Sequence, residues 1–331
     1  MKLSIAIVGL PNVGKSTLFK ILTKQEITIA NYPFATIDPN VGVVTVPDER
    51  LQKLAEISRS KKTVPAVVEF YDIAGLVKGA NKGEGLGNKF LSHIKETQAI
   101  VVVIRIFGNS EIIHVEGNIN PLRDLEIINA ELILKDLETI EKRLSSLETE
   151  KRSGDKKAAK NFEVLNKIRE ELGAGNLAVK YVSEEIVREL QLLTAKKQVY
   201  LLNGGEFEAP HELLDKIKEI GADYIIADLS SGSAIPELIK KSYEVLGLIS
   251  FLTTGEDETR AWTIEKGTLA PQAAGVIHTD FDKNFIRAEV VNWQKLVECG
   301  GWNQAKQKGL IRLEGKDYVV QDGDVMVVRH G

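Results

Sequence analysis

The chain has 331 residues, 43% of them hydrophobic, which is enough for two or three domains with a sizeable core and excludes wholesale disorder. The net charge of −4 at pH 7 excludes a global basic field that would attract nucleic acid, so any RNA contact must come from a local patch. Cys299 is the only cysteine, which excludes an internal disulfide framework and is typical of a reducing compartment, the cytoplasm.

The first apolar segment, residues 3–8, predicts a buried strand rather than a signal peptide, because it leads into a loop without a cleavage site. A helix is expected over Lys15–Thr23. Later strands of the same sheet are expected to end at Asp72 and to cover residues 99–107, 199–202 and 224–227. These elements predict an α/β domain with a mostly parallel sheet. No apolar run is long enough to span a membrane, so we expect no membrane contact.

A phosphate-binding loop lies between the first strand and the first helix. Residues 9–16 match the pattern G-x-x-x-x-G-K-[ST] in full. Glycines let backbone N–H groups reach phosphate oxygens, Lys15 brings a positive charge to the β- and γ-phosphates, and the Ser16 hydroxyl is a ligand for Mg²⁺. The sequence therefore predicts a P-loop site for a nucleoside triphosphate with Mg²⁺. Its expected nucleotide-binding residues are Asn12, Val13, Gly14, Lys15, Ser16 and Thr17.

A second motif, residues 72–75, follows an apolar strand, as the second part of such a site should. We expect Asp72 to hold Mg²⁺ through water and the Gly75 amide to sense the γ-phosphate, with Thr36 as a further hydroxyl for the metal. Residues 78–87 contain four glycines, which predicts a loop that becomes ordered around a γ-phosphate and relaxes after hydrolysis. This favours a switch protein over a nucleotide kinase, for which no arginine-rich lid follows.

Residues 203–206 stand where a guanine-specific site has Asn-Lys-x-Asp. Glu206 is one methylene longer than Asp, about 1.5 Å by bond length, so we expect it to miss the paired contact with guanine. Gly204 lacks the lysine stem that would cover the base. Because adenine has an acceptor where guanine has a donor, losing the Asp removes a penalty against ATP. We expect Asn203, Gly204 and Glu206 at the base and ATP to bind at least as well as GTP. The alternative is that Asn203 only caps a turn.

The second half of the chain changes character twice. Residues 124–195 are rich in Glu, Lys and Leu at helical spacing, which predicts a helical hairpin or short coiled coil inserted into the α/β domain. Beyond residue 247, glycine turns separate short segments that read as β-rich and predict a small α+β domain. Those segments are residues 261–264, 274–277, 285–291, 318–320 and 325–328. The expected domains are residues 1–123 with 196–246, residues 124–195, and residues 247–331.

Six stretches of this chain carry the motifs of one known family. They are residues 9–17, 31–40, 72–80, 83–87, 260–264 and 270–281. Together they resemble the YchF family of Obg-like ATPases. The resemblance covers nearly the whole chain and implies a G domain, an inserted α-helical coiled-coil arm and a C-terminal TGS domain with a β-grasp fold. It also implies ATP hydrolysis, often with GTP accepted, and association with the ribosome. RNA is a candidate partner for the TGS domain and the arm, and we expect a monomer.

The resemblance bears on catalysis as well. The family has an apolar residue where Ras-like enzymes have a water-orienting Gln, and Leu76 fills that position, so intrinsic turnover should be slow. The family suggests His114 as a catalytic residue beside Lys15 and Gly75, although from the sequence alone a structural role for His114 is the default. Asn12 resembles the loop asparagine with which some relatives use K⁺. ATPase rates unchanged on replacing K⁺ with Na⁺ would contradict a K⁺ site.

Two features depart from the family. Its acidic helical segment before the TGS domain is missing, and its small base-lining motif is replaced near Asp228 and Leu229. Two functions compete, because Leu76 keeps a function without fast hydrolysis open. One is a slow ATPase switch at the ribosome. The other is a ribosome- or RNA-binding module in which nucleotide binding controls shape and hydrolysis is incidental.

Overall fold

The computed structural model describes residues 4–23, 40–72, 94–108, 119–230 and 235–331. These residues fall into two compact units, in which residues 43–68 group with residues 239–331 and the rest group together. The domain boundaries expected from the sequence stay a prediction. Within the described ranges, no helix is both long enough and apolar enough to cross a bilayer.

Strands and helices are numbered along the described chain. The strands are β1 (Ser4–Val8), β2 (Val41–Thr45), β3 (Thr63–Val64), β4 (Val67–Asp72), β5 (Ala99–Arg105), β6 (Lys197–Asn203), β7 (Asp223–Ala227), β8 (Leu248–Thr254), β9 (Thr259–Glu265), β10 (Phe285–Asn292), β11 (Arg312–Glu314) and β12 (Asp324–His330). The α-helices are α1 (Lys15–Thr23), α2 (Glu49–Ser58), α3 (Pro121–Arg152), α4 (Lys156–Gly173), α5 (Glu185–Leu190), α6 (His211–Glu219), α7 (Ile235–Val245), α8 (Ala270–Ile277), α9 (Thr279–Lys283), α10 (Trp293–Cys299) and α11 (Trp302–Gln307). Short 3₁₀ helices cover Ala178–Tyr181, Leu193–Ala195 and Glu206–Glu208.

The first sheet has six strands in the order β2-β4-β1-β5-β6-β7. The pairs from β4 to β7 are all parallel, and every residue of β1 and β5 is buried. This confirms the predicted parallel sheet, whose apolar strands lack polar alternation because both faces are covered. Parallel strands bring their carboxyl ends to one edge of the sheet. Asp72, Arg105 and Asn203 therefore end neighbouring strands near the loop that follows β1.

A hairpin of two long helices precedes β6. α3 begins at Pro121 and is capped by Asn120, whose side chain accepts a hydrogen bond from the backbone N–H of Arg123. α4 is capped by Asp155, whose carboxylate accepts from the backbone N–H groups of Lys157 and Ala158. The two helices share a buried core that includes Ile140, Leu144, Leu147, Leu165, Ile168 and Leu172. The predicted helices are present, while a coiled-coil geometry for them stays a prediction.

Buried Asp136 joins α3 to the 3₁₀ helix that leads into β6. Its carboxylate accepts hydrogen bonds from the backbone N–H of Leu193 (2.8 Å) and from the backbone N–H (2.7 Å) and hydroxyl (2.6 Å) of Thr194. Burial raises the pKa of Asp136, and these hydrogen bonds partly oppose that rise. Lys196 lies in the same region, where burial lowers its pKa to about 8 although the charge of Asp136 acts in the other direction. One acidic side chain on α3 therefore holds the start of a sheet strand.

The second sheet has six strands in the order β11-β10-β12-β8-β9-β3. The β10 pairs and the β8–β9 pair are antiparallel, whereas β12–β8 and β3–β9 are parallel. α8 packs against the sheet through Ala273 and Ala274, in a core with Phe251, Ile264 and Val290. This confirms a C-terminal α+β region, while the specific assignment as a β-grasp TGS domain stays a prediction.

Two of the β-rich segments expected near the C-terminus are wrong. Residues 274–277 end helix α8, which starts after Leu269 with Pro271 in its first turn, where the fixed φ of proline favours a helix start. Residues 318–320 form no strand; Val319 makes only an isolated antiparallel bridge to Leu269. The apolar Ala-Ala-Gly-Val-Ile run is too short for its periodicity to distinguish a strand from a buried helix.

Residues 43–68 pack with the C-terminal part of the chain rather than with the first sheet alone. Arg50 on α2 forms ion pairs with Asp48 (2.8 Å) and Asp322 (2.7 Å). The Ser60 hydroxyl donates to the carbonyl of Gly255 (2.6 Å) and lies 2.7 Å from the Thr259 hydroxyl. β3, which follows, adds an edge strand beside β9. The segment is thus fastened by charge, hydroxyl contacts and strand pairing.

Candidate nucleotide-binding site

The loop between β1 and α1 has the backbone conformation that a phosphate-binding loop needs. Gly14 has φ +111°, and a Cβ there would lie 2.5 Å from Nδ2 of Asn203, so only glycine fits. Asn12 has φ 63°, a left-handed conformation that asparagine tolerates better than most residues. Lys15 opens α1 and is buried, with Nζ donating to the carbonyl of Leu10 at 2.7 Å. Loop amides and a lysine ammonium thus converge at the positive end of a helix.

Asp72 and Lys15 form the electrostatic centre of the site. β1 pairs with β4 so that Ile7 lies opposite Asp72, which brings the second motif beside the loop. Burial lowers the pKa of Lys15, and the charge of Asp72 opposes that shift. Burial likewise raises the pKa of Asp72, and the charge of Lys15 opposes it. Each charge is therefore supported by the other in a partly desolvated site.

The side chains present fit Mg²⁺ bound together with phosphate. Ser16 lines the cleft and Asp72 ends β4, and a hydroxyl with a carboxylate are oxygen ligands of the kind Mg²⁺ prefers. No group of three or more His, Cys, Asp or Glu side chains in the described ranges could hold a metal by itself. Phosphate and water oxygens would have to supply the remaining ligands, as is usual for Mg²⁺.

Asn203 connects three segments around the cleft. Its Nδ2 donates to the carbonyl of Val13 (2.9 Å), and its Oδ1 accepts from the backbone N–H of Leu229 (3.2 Å). Its own carbonyl accepts from the N–H of Ile106 at 2.9 Å. The side chain is buried, so both of its polar groups work inside the protein. Asn203 therefore ties the phosphate loop to the ends of β5, β6 and β7.

These elements surround a cleft of about 630 Å³, a volume typical of small-molecule sites. The described residues lining it are Asn12, Gly14, Lys15, Ser16, Thr17, Phe107, Asn203, Gly204, Gly205, Glu208, Asp228, Leu229 and Ser230. The structure thus brings together seven of the residues expected from the sequence, from the phosphate loop and from residues 203–204. Val13, also expected at the nucleotide, is buried, and its carbonyl accepts the hydrogen bond from Asn203.

Glu206, expected at the base, is exposed and is not among the described lining residues. Glu208, two residues later, lines the cleft instead. Sequence reasoning also missed Phe107, whose ring lies 4.4 Å from the guanidinium carbon of Arg105. Nε of Arg105 also donates to the backbone carbonyl of Phe107 at 3.1 Å. An aromatic residue two positions after a fully buried strand was the available signal for Phe107.

Four expected residues lie outside the described ranges: Thr36, Gly75, Leu76 and His114. Their roles at the metal, the γ-phosphate and the attacking water stay predictions.

The fold and the cleft define a P-loop protein of the GTPase class. A family model described as 50S ribosome-binding GTPase matches residues 4–146. The model of the YchF-GTPase C-terminal family, described as a protein of unknown function (DUF933), matches residues 248–331. A solved structure described as the Schizosaccharomyces pombe YchF GTPase matches with TM-score 0.85 and 39% identity, over 99% of this chain and 98% of that one.

Curated relatives match over almost their full length. The ribosome-binding ATPase YchF of Bacillus subtilis strain 168 is 47% identical, over 99% of both chains. The Obg-like ATPase 1 of Oryza sativa is 43% identical, over 98% of this chain and 91% of the relative. The chain therefore belongs to the YchF family, as the resemblance of its motifs indicated. The Bacillus alignment extends over 363 positions whereas this chain has 331 residues, so the relative has residues that this chain lacks.

Proposed function

We propose that this protein is a Mg²⁺-dependent ATPase switch that hydrolyses ATP slowly, accepts GTP, and associates with the ribosome. The observation that carries the proposal is the phosphate loop, in which Lys15 is buried at the start of α1, with Asp72 at the end of the neighbouring strand β4. In P-loop proteins these two charges serve the phosphates and the metal. The names of the relatives, ribosome-binding ATPases, support both the reaction and the partner.

The base end of the cleft supports ATP as a substrate. A Cβ at Gly204 would lie 2.6 Å from Cγ1 of Ile106, so no side chain at this position can cover the base as a lysine stem would. Glu206 is exposed away from the cleft lining, so the paired guanine contact made by an Asp has no counterpart at that position. Without that contact GTP loses its usual advantage.

Separate residues of this chain would bind the phosphates and the metal. Loop amides and Lys15 would bind and orient the β- and γ-phosphates, and Ser16, Thr36 and Asp72 would hold Mg²⁺, which supplies charge neutralisation when bound. The amide of Gly75 would contact the γ-phosphate. Leu76 cannot orient water, so hydrolysis would be slow unless another group or a partner contributes.

A single-turnover assay with radiolabelled ATP tests the function. We expect slow release of γ-phosphate by the protein alone, faster release with added 70S ribosomes, and co-sedimentation with ribosomes that depends on the nucleotide. The competing function is a binding module in which hydrolysis is incidental, and the apolar Leu76 favours it. Nucleotide-dependent ribosome binding with no release above the uncatalysed rate would select the module. Neither release nor ribosome binding would overturn both.

His114→Ala should lower the ATP turnover rate by about 10²-fold or more if His114 orients or deprotonates the attacking water, which is the usual contribution of a general base. ATP affinity should stay unchanged, because the phosphate loop carries binding. Turnover and affinity are measured separately, by γ-phosphate release and by titration calorimetry. Turnover equal to that of the unmodified protein would remove His114 from the mechanism.

A further inference from the structure

Gly204 and Gly205 directly follow β6, and because they have no side chains, other groups can approach their backbone closely. A Cβ at Gly204 would lie 2.9 Å from both the backbone nitrogen of Phe107 and Oε2 of Glu208. A Cβ at Gly205 would lie 3.2 Å from the same Oε2. The carboxylate of Glu208 therefore lies directly over this bare backbone. With side chains at 204 and 205, this carboxylate would have to shift.

The turn that follows delivers Glu208 to this position. The 3₁₀ helix Glu206–Glu208 returns the chain after three residues, and the backbone N–H of Glu208 donates to the carbonyl of Gly205 at 3.0 Å. In the other direction, the N–H of Gly205 donates to Oε2 of Glu208 at 2.6 Å. The same turn leaves Glu206 exposed and Phe207 fully exposed. Of the three residues in the turn, the cleft lining includes only Glu208.

The chemistry of this carboxylate suits the edge of a purine. Oε2 is engaged by Gly205, and within the described part of the chain Oε1 has no hydrogen-bond donor, so it remains an acceptor beside the cleft. A carboxylate accepts hydrogen bonds from exocyclic amino groups of bases. One available oxygen matches the single amino group on the pairing edge of adenine. The two adjacent donors of guanine would require both oxygens.

We propose that Glu208, rather than Glu206, is the residue that recognises the base of the nucleotide, accepting a hydrogen bond from the adenine amino group. This inference rests on the proposed function, since it presumes that the phosphate loop binds a purine triphosphate. It also fits the two glycines, because a Cβ at residue 204 or 205 would crowd Oε2 of Glu208. The acidic group stands two positions later in the chain than the guanine motif would have it.

Titration calorimetry with three triphosphates tests this assignment. The ligands are ATP, GTP and purine riboside triphosphate, which lacks an exocyclic amino group. Glu208→Ala should weaken ATP binding about tenfold or more, the effect of losing a hydrogen bond to a charged acceptor. The affinity for purine riboside triphosphate should stay unchanged. Glu208→Gln should also weaken ATP binding, because the amide keeps the size of the side chain and removes its charge.

Two further variants make the test decisive. The matched control is Glu212→Ala. Glu212 is exposed at the start of α6 and lies outside the described cleft lining. Glu206→Ala tests the rival position and should leave all three affinities unchanged if Glu208 recognises the base. Loss of ATP affinity in Glu206→Ala but not in Glu208→Ala would overturn the assignment. Equal weakening of all three ligands by Glu208→Ala would also overturn it, since Glu208 would then act only on loop shape.

The inference can fail separately from the proposed function. If the unmodified protein binds ATP and Glu208→Ala binds it equally well, only the role of Glu208 is lost. If the unmodified protein binds none of the three ligands, the proposed function fails and takes this inference with it. Thermal melting without ligand checks folding. Because Glu208 is exposed, Glu208→Ala should change the melting temperature little.

Discussion

Lys15→Met should weaken ATP binding at least tenfold and reduce hydrolysis by about 10²-fold or more, as expected when a positioned charge is removed from a phosphate site. Methionine fills a similar volume but brings no charge to the phosphates. Burial lowers the pKa of Lys15, so the folded protein bears a cost for holding this ammonium without a phosphate. The melting temperature without nucleotide should therefore change little, while the rise on adding ATP should shrink.

Lys20→Met on the same helix is the matched control. Lys20 is exposed in the last turn of α1, so its replacement removes one positive charge without touching the cleft. ATP affinity, measured by calorimetry, should change little in this variant. A melting temperature that falls in Lys15→Met without nucleotide, together with unchanged ATP affinity, would show that Lys15 is structural.

Asp136→Ala should lower the free energy of unfolding by about 3 kcal/mol, because it leaves two buried backbone N–H groups and a hydroxyl without their acceptor. Urea denaturation measures the change. Asp155→Ala is the comparison, since exposed Asp155 caps α4 through two backbone N–H groups and its loss should cost only about 1 kcal/mol. Equal losses in the two variants would contradict a special role for the buried carboxylate.

The same carboxylate should leave a mark on the pH dependence of stability. The pKa of Asp136 is raised above its ordinary value of 3.8, so the folded chain holds this proton more tightly than the unfolded chain. The stabilisation by this group is therefore fully present below pH 3.8 and is lost as the pH rises through the folded pKa. Asp136→Asn does not titrate, so its free energy of unfolding should lack this decrease. Parallel pH profiles for the two proteins would contradict the raised pKa.

Local patterns were enough to predict five of the six strands of the first sheet and the loop after β1, but not β2. Apolar strands and the spacing of glycines are signals carried by neighbouring residues in the sequence. Helix α1 begins and ends where the sequence predicts. Asp136 could not be anticipated, because its partners at residues 193–194 are distant in the chain and its neighbours on α3 look like a plain apolar stripe. Glu208 was missed because a pattern match assigns an acidic residue by its position, whereas a 3₁₀ turn decides which glutamate faces the cleft. The helix that includes residues 274–277 was mispredicted as β-rich, because the short apolar run outweighed Pro271 as a signal for a helix start.

The grouping of residues 43–68 with residues 239–331 makes the C-terminal part poorly separable from the rest of the chain. A protease that cuts near residue 246 would free a fragment without α2 and without the edge strand β3. Arg50 would lose Asp322, and the Ser60 hydroxyl would lose its partners at Gly255 and Thr259. For the same reason, a chimaera that exchanges this region with a homologue must carry residues 43–68 along with it. Although residues 43–68 and 239–331 are far apart in the gene, substitutions in one of them are constrained by the other.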